Sequence, residues 1–301
     1  QVTLCIDSAV SILYRASAMG TIGTSACWCR GQEESAIVHP GRLQIVANAQ
    51  QVSATVQYRV HLAALASIQA RGHFALAITG GSVLNLLRDW KPPWVAKASL
   101  AYINHKCVAV TDTKNSSHAK ACKLFLDHWI GAGAMVIEPP GASSGEVAAT
   151  EYTTRLNAVP ELILPRVEGR PQFDMMLIDL GEDGRIGALH PNRQEVFEED
   201  GWVLAVDKDS PASITFSLPV IRASREVLVI ACCGSDNKIQ VRPSDSGTAT
   251  QYNSKAESLA RALEGPSETP RTLPACALRD CAAWIADKSA SSKLSAVYTA
   301  Q

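Results

Sequence analysis

A short apolar run that ends in a glycine-containing turn constrains the fold of this chain more than any other feature. The run is FDMMLI at residues 173–178, and the turn is GEDG at residues 181–184. This pattern is typical of a buried central strand of an α/β sheet with a loop at its carboxyl end. Because ligands of open α/β sheets bind at the carboxyl ends of strands, the sequence predicts a ligand site at this loop.

Strand-like and helix-like segments alternate along the chain from residue 42 onward. Residues 42–46 and 73–79 are predicted strands, and between them residues 48–71 form a predicted helix with Gly72 as its cap. Further strands are predicted within residues 99–110, 214–221 and 226–232, and further helices over residues 118–130 and 255–263. We therefore expect an α/β domain with a mostly parallel, doubly wound (Rossmann-like) sheet and helices on both faces.

A glycine turn, Gly80-Gly81-Ser82, directly follows the predicted strand at residues 73–79, and a helix is predicted over residues 83–90. Glycine lets backbone N–H groups approach an anion closely, and the amino end of a helix favours negative charge. The order of strand, glycine turn and helix therefore indicates a phosphate-binding loop.

The central stretch also carries a family resemblance. Residues 173–191, FDMMLIDLGEDGRIGALHP, resemble the FDxxLLGxGxDGHxxSLFP pattern of the 6-phosphogluconolactonases, which are relatives of the glucosamine-6-phosphate isomerases. The matching positions are Phe173, Asp174, Leu177, Gly181, Asp183, Gly184, Leu189 and Pro191. The resemblance extends over residues 42–290 and implies a 6-phosphogluconolactonase-like domain there, with residues 1–41 as an N-terminal arm and 291–301 as a C-terminal tail.

The resemblance implies that the histidine after Asp-Gly serves as the base, and that two arginines and the Gly-Gly-Ser loop hold the phosphate of the substrate. Arg185 stands at the histidine position, and Lys106 and Ser213 stand at the two arginine positions. A guanidinium stays protonated and has no acceptor lone pair, and losing a base costs about 10²- to 10⁴-fold in rate. The predicted remnant of the phosphate site comprises Gly80, Gly81, Ser82, Lys106, Asp183, Gly184 and Lys238.

These replacements favour an inactive homologue, which is not an enzyme, has no catalytic residue and serves as a structural or accessory subunit of a larger complex. Two alternatives remain open. The chain could be an active or weakened 6-phosphogluconolactonase that hydrolyses 6-phosphoglucono-δ-lactone in the pentose phosphate pathway, with His190 or His105 as a relocated base. It could instead be a sensor that binds a sugar phosphate.

Two side chains of the central loop have alternative roles. Arg185 could bind an anion or form an ordinary salt bridge with Glu182 or Asp179. Asp183 could orient a histidine or simply favour the turn before Gly184.

Composition and charge exclude several classes. A net charge of −1 and a pI near 6.7 give no basic face for nucleic acid, and no apolar run reaches the roughly eighteen residues that a membrane-spanning helix needs. The nine cysteines have no zinc-ligand spacing, so we expect neither a metal nor a cofactor.

Residues 1–40 have no counterpart in the family pattern. They are predicted to pack on the domain as a surface arm or to dock on a protein partner. The chain opens at Gln1, which is compatible with removal of a segment that targets a chloroplast or mitochondrion. The cytoplasm is the alternative location.

Overall fold

The computed structural model describes residues 42–299, apart from 142–143, 208–209, 234–239, 243–249 and 253. Its strands are β1 (Leu43–Val46), β2 (Phe74–Ile78), β3 (Ala98–Tyr102), β4 (Asn104–Lys106), β5 (Met135–Val136), β6 (Arg166–Val167), β7 (Arg170–Pro171), β8 (Met175–Asp179), β9 (Val203–Val206), β10 (Ser213–Phe216), β11 (Glu226–Ala231), β12 (Gln240–Arg242), β13 (Thr250–Tyr252) and β14 (Ala283–Asp287). Its helices are α1 (Ala49–Arg71), α2 (Ser82–Leu86), α3 (Ser117–Ala121), α4 (Asp127–Gly131), α5 (Gly145–Asn157), α6 (Leu218–Arg222), α7 (Ser254–Glu264) and α8 (Ala296–Thr299), and a π-helical segment, Cys122–Leu126, joins α3 to α4. The predicted arm at residues 1–41 and the predicted phosphate ligand Lys238 lie outside the described residues.

Seven strands form the central sheet in the order β1-β14-β11-β8-β2-β3-β5. All neighbouring pairs in this sheet are parallel. From β2 the chain moves outward through β3 to β5, whereas from β8 it moves outward through β11 to β14. The loops that follow β2 and β8 therefore diverge at the middle of the sheet, which is the place where ligands of doubly wound sheets bind.

Apolar side chains alternate between the two faces of the sheet, because successive residues of a strand point in opposite directions. In β8, Met175 and Leu177 join the core beneath α1 and the α3–α4 region, while Met176 and Ile178 join the core beneath α5, α6 and α7. Both faces are thus buried by helices. The prediction of a mostly parallel, doubly wound sheet with helices on both faces is confirmed.

Helix α1 follows the predicted pattern from end to end. The side chain of Asn48 accepts a hydrogen bond from the Gln51 backbone N–H, and Gly72 ends the helix in the left-handed conformation with φ at 82°. Val52, Val56 and Val60 are fully buried at a spacing of four residues, so one stripe of the helix packs on the sheet.

The single strand region predicted within residues 99–110 is two strands in two sheets. β3 belongs to the central sheet, and β4 pairs with β10 in a separate antiparallel sheet of order β4-β10-β9. The chain changes sheet at Ile103, whose N–H donates to Ile78 in β2 and whose carbonyl accepts from Phe216 in β10. The predicted helix over residues 83–90 is also shorter, because Asp89 adopts a positive φ of 56° beyond the end of α2.

Residues from the predicted C-terminal tail pack on α7. Leu294 and Tyr298 are buried in the core, and Lys293 pairs with Glu257 of α7 at 2.5 Å. Among the helices of the described residues, none is both long enough and apolar enough to span a membrane.

Candidate active site

The loop after β8 is a tight turn fixed by its glycines. The Gly181 N–H donates to the Arg185 carbonyl, and the Gly184 N–H donates to the Gly181 carbonyl. Gly184 has φ at 82°, and a Cβ at this position would lie 2.1 Å from Leu273 Cδ1. Only glycine meets both conditions, so the family glycine at 184 fixes the shape of the turn that presents Asp183.

Behind this turn the chain folds back on itself and returns to Asp183. Ile186 bridges both Leu180 and Leu189, and both leucines and Ile186 are fully buried. The reversal brings His190 next to Asp183, and Nδ1 of the histidine lies 3.2 Å from Oδ2 of the carboxylate. The His190 side chain is only 12% exposed. The structure thus brings together two of the residues that the sequence singled out.

Asp183 holds one partner on each carboxylate oxygen. His190 is on Oδ2, and Nη1 of Arg185 donates to Oδ1 at 2.9 Å. Burial on its own would raise the pKa of Asp183, but the hydrogen bond from His190 and the positive charge of Arg185 hold this pKa well below its ordinary range. The carboxylate is therefore an anion at neutral pH and must accept a hydrogen from Nδ1, which leaves the lone pair of the neutral imidazole on Nε2.

Arg185 has a different partner from the ones that the sequence suggested. The predicted salt bridge with Glu182 or Asp179 is wrong, because the guanidinium bonds Asp183 instead. Its side chain remains 42% exposed. Arg185 therefore acts on the site through Asp183, by fixing the plane of the carboxylate that also bonds His190.

The Gly80-Gly81-Ser82 turn lies beside the end of β8. Gly80 packs against α3, where an added Cβ would lie 2.4 Å from Ser117 Oγ. The Ser82 hydroxyl donates to Oδ1 of Asp179 at 2.6 Å, and Nζ of Lys255 at the start of α7 donates to the same oxygen at 2.6 Å. A hydroxyl and an ammonium group thus converge on one carboxylate at the centre of the sheet edge.

Sequence reasoning missed the contacts of Lys255 and Asp179. The helix over residues 255–263 was predicted, but nothing in its pattern indicates that its first turn reaches a strand 76 positions away. Ser258, one turn further along α7, donates to the Glu182 carbonyl and so holds the same loop from the same helix. A lysine at the start of an amphipathic helix was the available clue.

The other two predicted positions meet in the small antiparallel sheet. Lys106 of β4 lies directly opposite Ser213 of β10 in the strand register. The register therefore pairs the two positions where the family resemblance implies arginines. Lys106 is exposed and, among the described residues, makes no ion pair.

His105, the second candidate for a relocated base, points into the core. Its side chain is fully buried, and Nε2 lies 3.2 Å from the Ser116 hydroxyl, which caps α3. Burial lowers the pKa of His105 to about 4, so its imidazole is neutral and structural at neutral pH. This environment favours His190 over His105 as the residue that handles protons.

Across the described part of the chain, no cluster of His, Cys, Asp and Glu side chains has an arrangement that could hold a metal ion. The chemistry available at the site therefore comes from an imidazole–carboxylate pair, an adjacent guanidinium, and a hydroxyl and an ammonium on a glycine turn. Such a set can activate water and bind an anionic group.

Comparison with known proteins identifies the family. The family described as "Glucosamine-6-phosphate isomerases/6-phosphogluconolactonase" matches residues 47–285. The chain belongs to this family. The fold agrees, since the structure of 6-phosphogluconolactonase from Leishmania guyanensis superposes with a TM-score of 0.64 at 20% identity, covering 84% of this chain and 98% of that one.

Curated relatives carry the name of one branch of the family. The chain is 31% identical over 238 residues to "6-phosphogluconolactonase 3, chloroplastic" of Arabidopsis thaliana, which covers 74% of this chain and 66% of the relative. It is 30% identical over 194 residues to "Probable 6-phosphogluconolactonase 4, chloroplastic" of Oryza sativa subsp. indica, which covers 60% of this chain and 59% of the relative. The matched region thus spans about three fifths to two thirds of the length of these two relatives.

The comparisons contradict the prediction that this chain is not an enzyme. Its relatives at 30% and 31% identity are named as lactonases. The prediction rested on the loss of the family histidine at position 185 and on the replacements at positions 106 and 213. The sequence left His190 open as a relocated base, and the loop folds back and places this imidazole against the Asp183 carboxylate.

Proposed function

We propose that the protein is a 6-phosphogluconolactonase that uses His190 as its general base. The observation that carries this proposal is the 3.2 Å contact between His190 Nδ1 and Asp183 Oδ2 in the loop after β8, at the middle of the sheet edge. The names of the relatives supply the substrate, 6-phosphoglucono-δ-lactone.

The reaction needs one group that first removes a proton and then returns it. Nε2 of neutral His190 takes a proton from water as the water oxygen attacks the lactone carbonyl carbon. The tetrahedral intermediate collapses, the bond between that carbon and the ring oxygen breaks, and the imidazolium gives its proton to the departing alkoxide. The product is the open-chain acid, which ionises at neutral pH.

Asp183 and Arg185 support the histidine rather than react. The Asp183 carboxylate keeps the hydrogen on Nδ1 and stabilises the imidazolium that forms in the transition state. Arg185 bonds the other carboxylate oxygen and so limits rotation of Asp183. The guanidinium at position 185 is thus a positioning group, and the proton passes through position 190.

The phosphate of the substrate would bind at the glycine turn. Its donors would be the backbone N–H groups of Gly80 and Gly81, together with the Ser82 hydroxyl and the Lys255 ammonium, which meet at Asp179 at the end of β8. Lys106, opposite Ser213, supplies a further positive charge. Lys238 stays a predicted ligand.

The test is the rate of lactone opening by the His190→Ala variant. Freshly prepared 6-phosphoglucono-δ-lactone is mixed with the protein, and acid release is followed above the spontaneous rate. We expect the variant to lose about 10²- to 10⁴-fold in kcat. The matched control is His128→Ala, which removes an exposed histidine from α4. Equal rates for wild type and His190→Ala would refute the proposal, as would wild-type turnover no faster than the spontaneous reaction.

We also propose a chloroplast location, because both relatives described above are named chloroplastic. A fluorescent fusion of the full-length protein that accumulated in the cytosol would contradict this. The division of the chain at residue 42 and a protein partner for residues 1–40 remain predictions, and comparing the oligomeric state of the chain with and without residues 1–41 tests both.

A further inference from the structure

Asp179 stands where the family pattern has glycine. The pattern FDxxLLGxGxDGH aligned on Phe173 places its first glycine after the leucines at position 179, and this chain carries a carboxylate there. Glycine has no side chain, so in the pattern this position at the end of the central strand is open. Here it is filled by an anion.

The Asp179 carboxylate engages the groups that an anionic ligand would need. Its Oδ1 accepts from the Ser82 hydroxyl at 2.6 Å and from the Lys255 ammonium at 2.6 Å. Its Oδ2 lies against the glycine turn, where a Cβ at Gly81 would be 3.3 Å away. The carboxylate therefore lies beside the turn and takes up both the hydroxyl and the ammonium donor.

The ion pair between Asp179 and Lys255 is largely shielded from solvent. The side chains of Asp179 and Lys255 are only 22% and 14% exposed, so solvent screens them weakly. Asp179 cancels the charge of Lys255 and adds an anion where a phosphate would approach. A phosphorylated ligand must displace the carboxylate and break both of its hydrogen bonds, whereas a ligand without phosphate meets no such cost.

We propose that Asp179 is a specificity-determining residue that occupies the phosphate position and lowers the preference of the site for phosphorylated over unphosphorylated sugar lactones. This inference rests on the proposed function, because it takes the glycine turn and Lys255 as the groups that receive the phosphate. It deepens that function by assigning the residue that sets the balance between the two classes of substrate.

The experiment measures binding of the two reaction products rather than turnover. Dissociation constants of 6-phosphogluconate and of gluconate are determined by calorimetry for the wild type, Asp179→Gly and Asp179→Asn. We expect the preference for 6-phosphogluconate, given by the ratio of the two constants, to rise by about 10- to 100-fold in both variants. Adding Lys255→Met to Asp179→Asn should remove the gain.

Glu182→Gln is the matched control. It removes one negative charge from the same loop, and the exposed Glu182 side chain forms no hydrogen bond or ion pair within the described residues. We expect its ratio to stay at the wild-type value. An equal rise in Glu182→Gln would overturn the inference, because it would show a general effect of loop charge.

Asp179→Asn keeps the shape of the side chain and so guards against a variant that fails to fold. An unchanged ratio in a folded Asp179→Asn variant, with its melting temperature near that of the wild type, overturns the inference and leaves a structural role in anchoring α7. The two proposals fail separately: a protein without lactonase turnover can still show the change in ratio, and an active lactonase with an unchanged ratio refutes the role of Asp179 alone.

Discussion

Replacing Asp183 by asparagine tests the proposed catalytic pair most directly. Asparagine keeps the size of the side chain but removes the charge that faces the imidazole at 3.2 Å. Unit charges about 4 Å apart interact by about 4 kcal/mol at an effective dielectric constant of about 20. The Asp183 side chain is 37% exposed, so solvent screening reduces the interaction energy by about half. This leaves ~2 kcal/mol of stabilisation of the imidazolium in the transition state.

This energy corresponds to a loss of about 30-fold in kcat, and an asparagine that turns its amide group toward Nδ1 would add to the loss by selecting the wrong tautomer. We therefore expect Asp183→Asn to be about 30- to 300-fold slower.

The assay is initial-rate lactone opening between pH 5 and about 8, where the spontaneous reaction is subtracted at each pH. The control is Asp280→Asn, which breaks another aspartate–arginine pair, that of Asp280 with Arg222. Asp280 precedes β14 and so lies at the amino edge of the sheet, away from the site. An Asp183→Asn variant with the wild-type rate would refute the reasoning.

Three further changes probe the turn, the base position and a distant ion pair. Gly184→Ala should lower the free energy of unfolding by about 3 kcal/mol or more, because it adds a steric clash to an unfavourable φ. The control Gly169→Ala has a φ of 74° and nothing within 4 Å of the added Cβ, so it should cost only about 1 kcal/mol. Equal losses of stability in urea unfolding would contradict this. Arg185→His should change kcat by less than about tenfold, since the base is at position 190. A gain of about 100-fold or more would show instead that the base belongs at position 185. The third change concerns Glu268. Burial on its own would raise the pKa of Glu268, but the hydrogen bond from Arg261 lowers this pKa. The stabilisation of the fold by the ionised Glu268 is thus present above the unfolded pKa of about 4.3 and is lost as the pH falls below this value. Glu268→Gln should cost about 1 kcal/mol at neutral pH, and the melting temperatures of wild type and variant should converge as the pH falls below the unfolded pKa; a constant difference in melting temperature would contradict the assignment.

Much of the fold follows from local patterns in the sequence. The apolar run at residues 173–178 is buried on both faces because β8 is a central strand, and the spacing of valines in α1 matches the stripe that packs on the sheet. Gly72 ends α1 as predicted, since only a residue that tolerates positive φ can do so without strain. These features depend on a few neighbouring residues, so the linear order is enough to predict them.

The sequence also pointed to the candidate site but left open which of its residues handle the proton. The family pattern and the position after a buried strand identified the loop at residues 181–184, and the glycine turn at 80–82 lies beside it. Position 185 indicated that the family base was missing. The sequence offered Asp183 as a residue that could orient a histidine, but it did not decide between His190 and His105. The contact with His190 needs Ile186 to bridge Leu180 and Leu189 and so reverse the chain.

Only the tertiary structure decided which charges meet at the sheet edge. Asp179 and Lys255 are 76 positions apart, and they bond because β8 is a central strand and α7 starts beside its carboxyl end. Lys106 and Ser213 face each other through the register of two strands that leave the central sheet. Sequence periodicity specifies which face of an element is buried, whereas the partner of a polar side chain depends on strand order and register, which arise only when the whole core is packed.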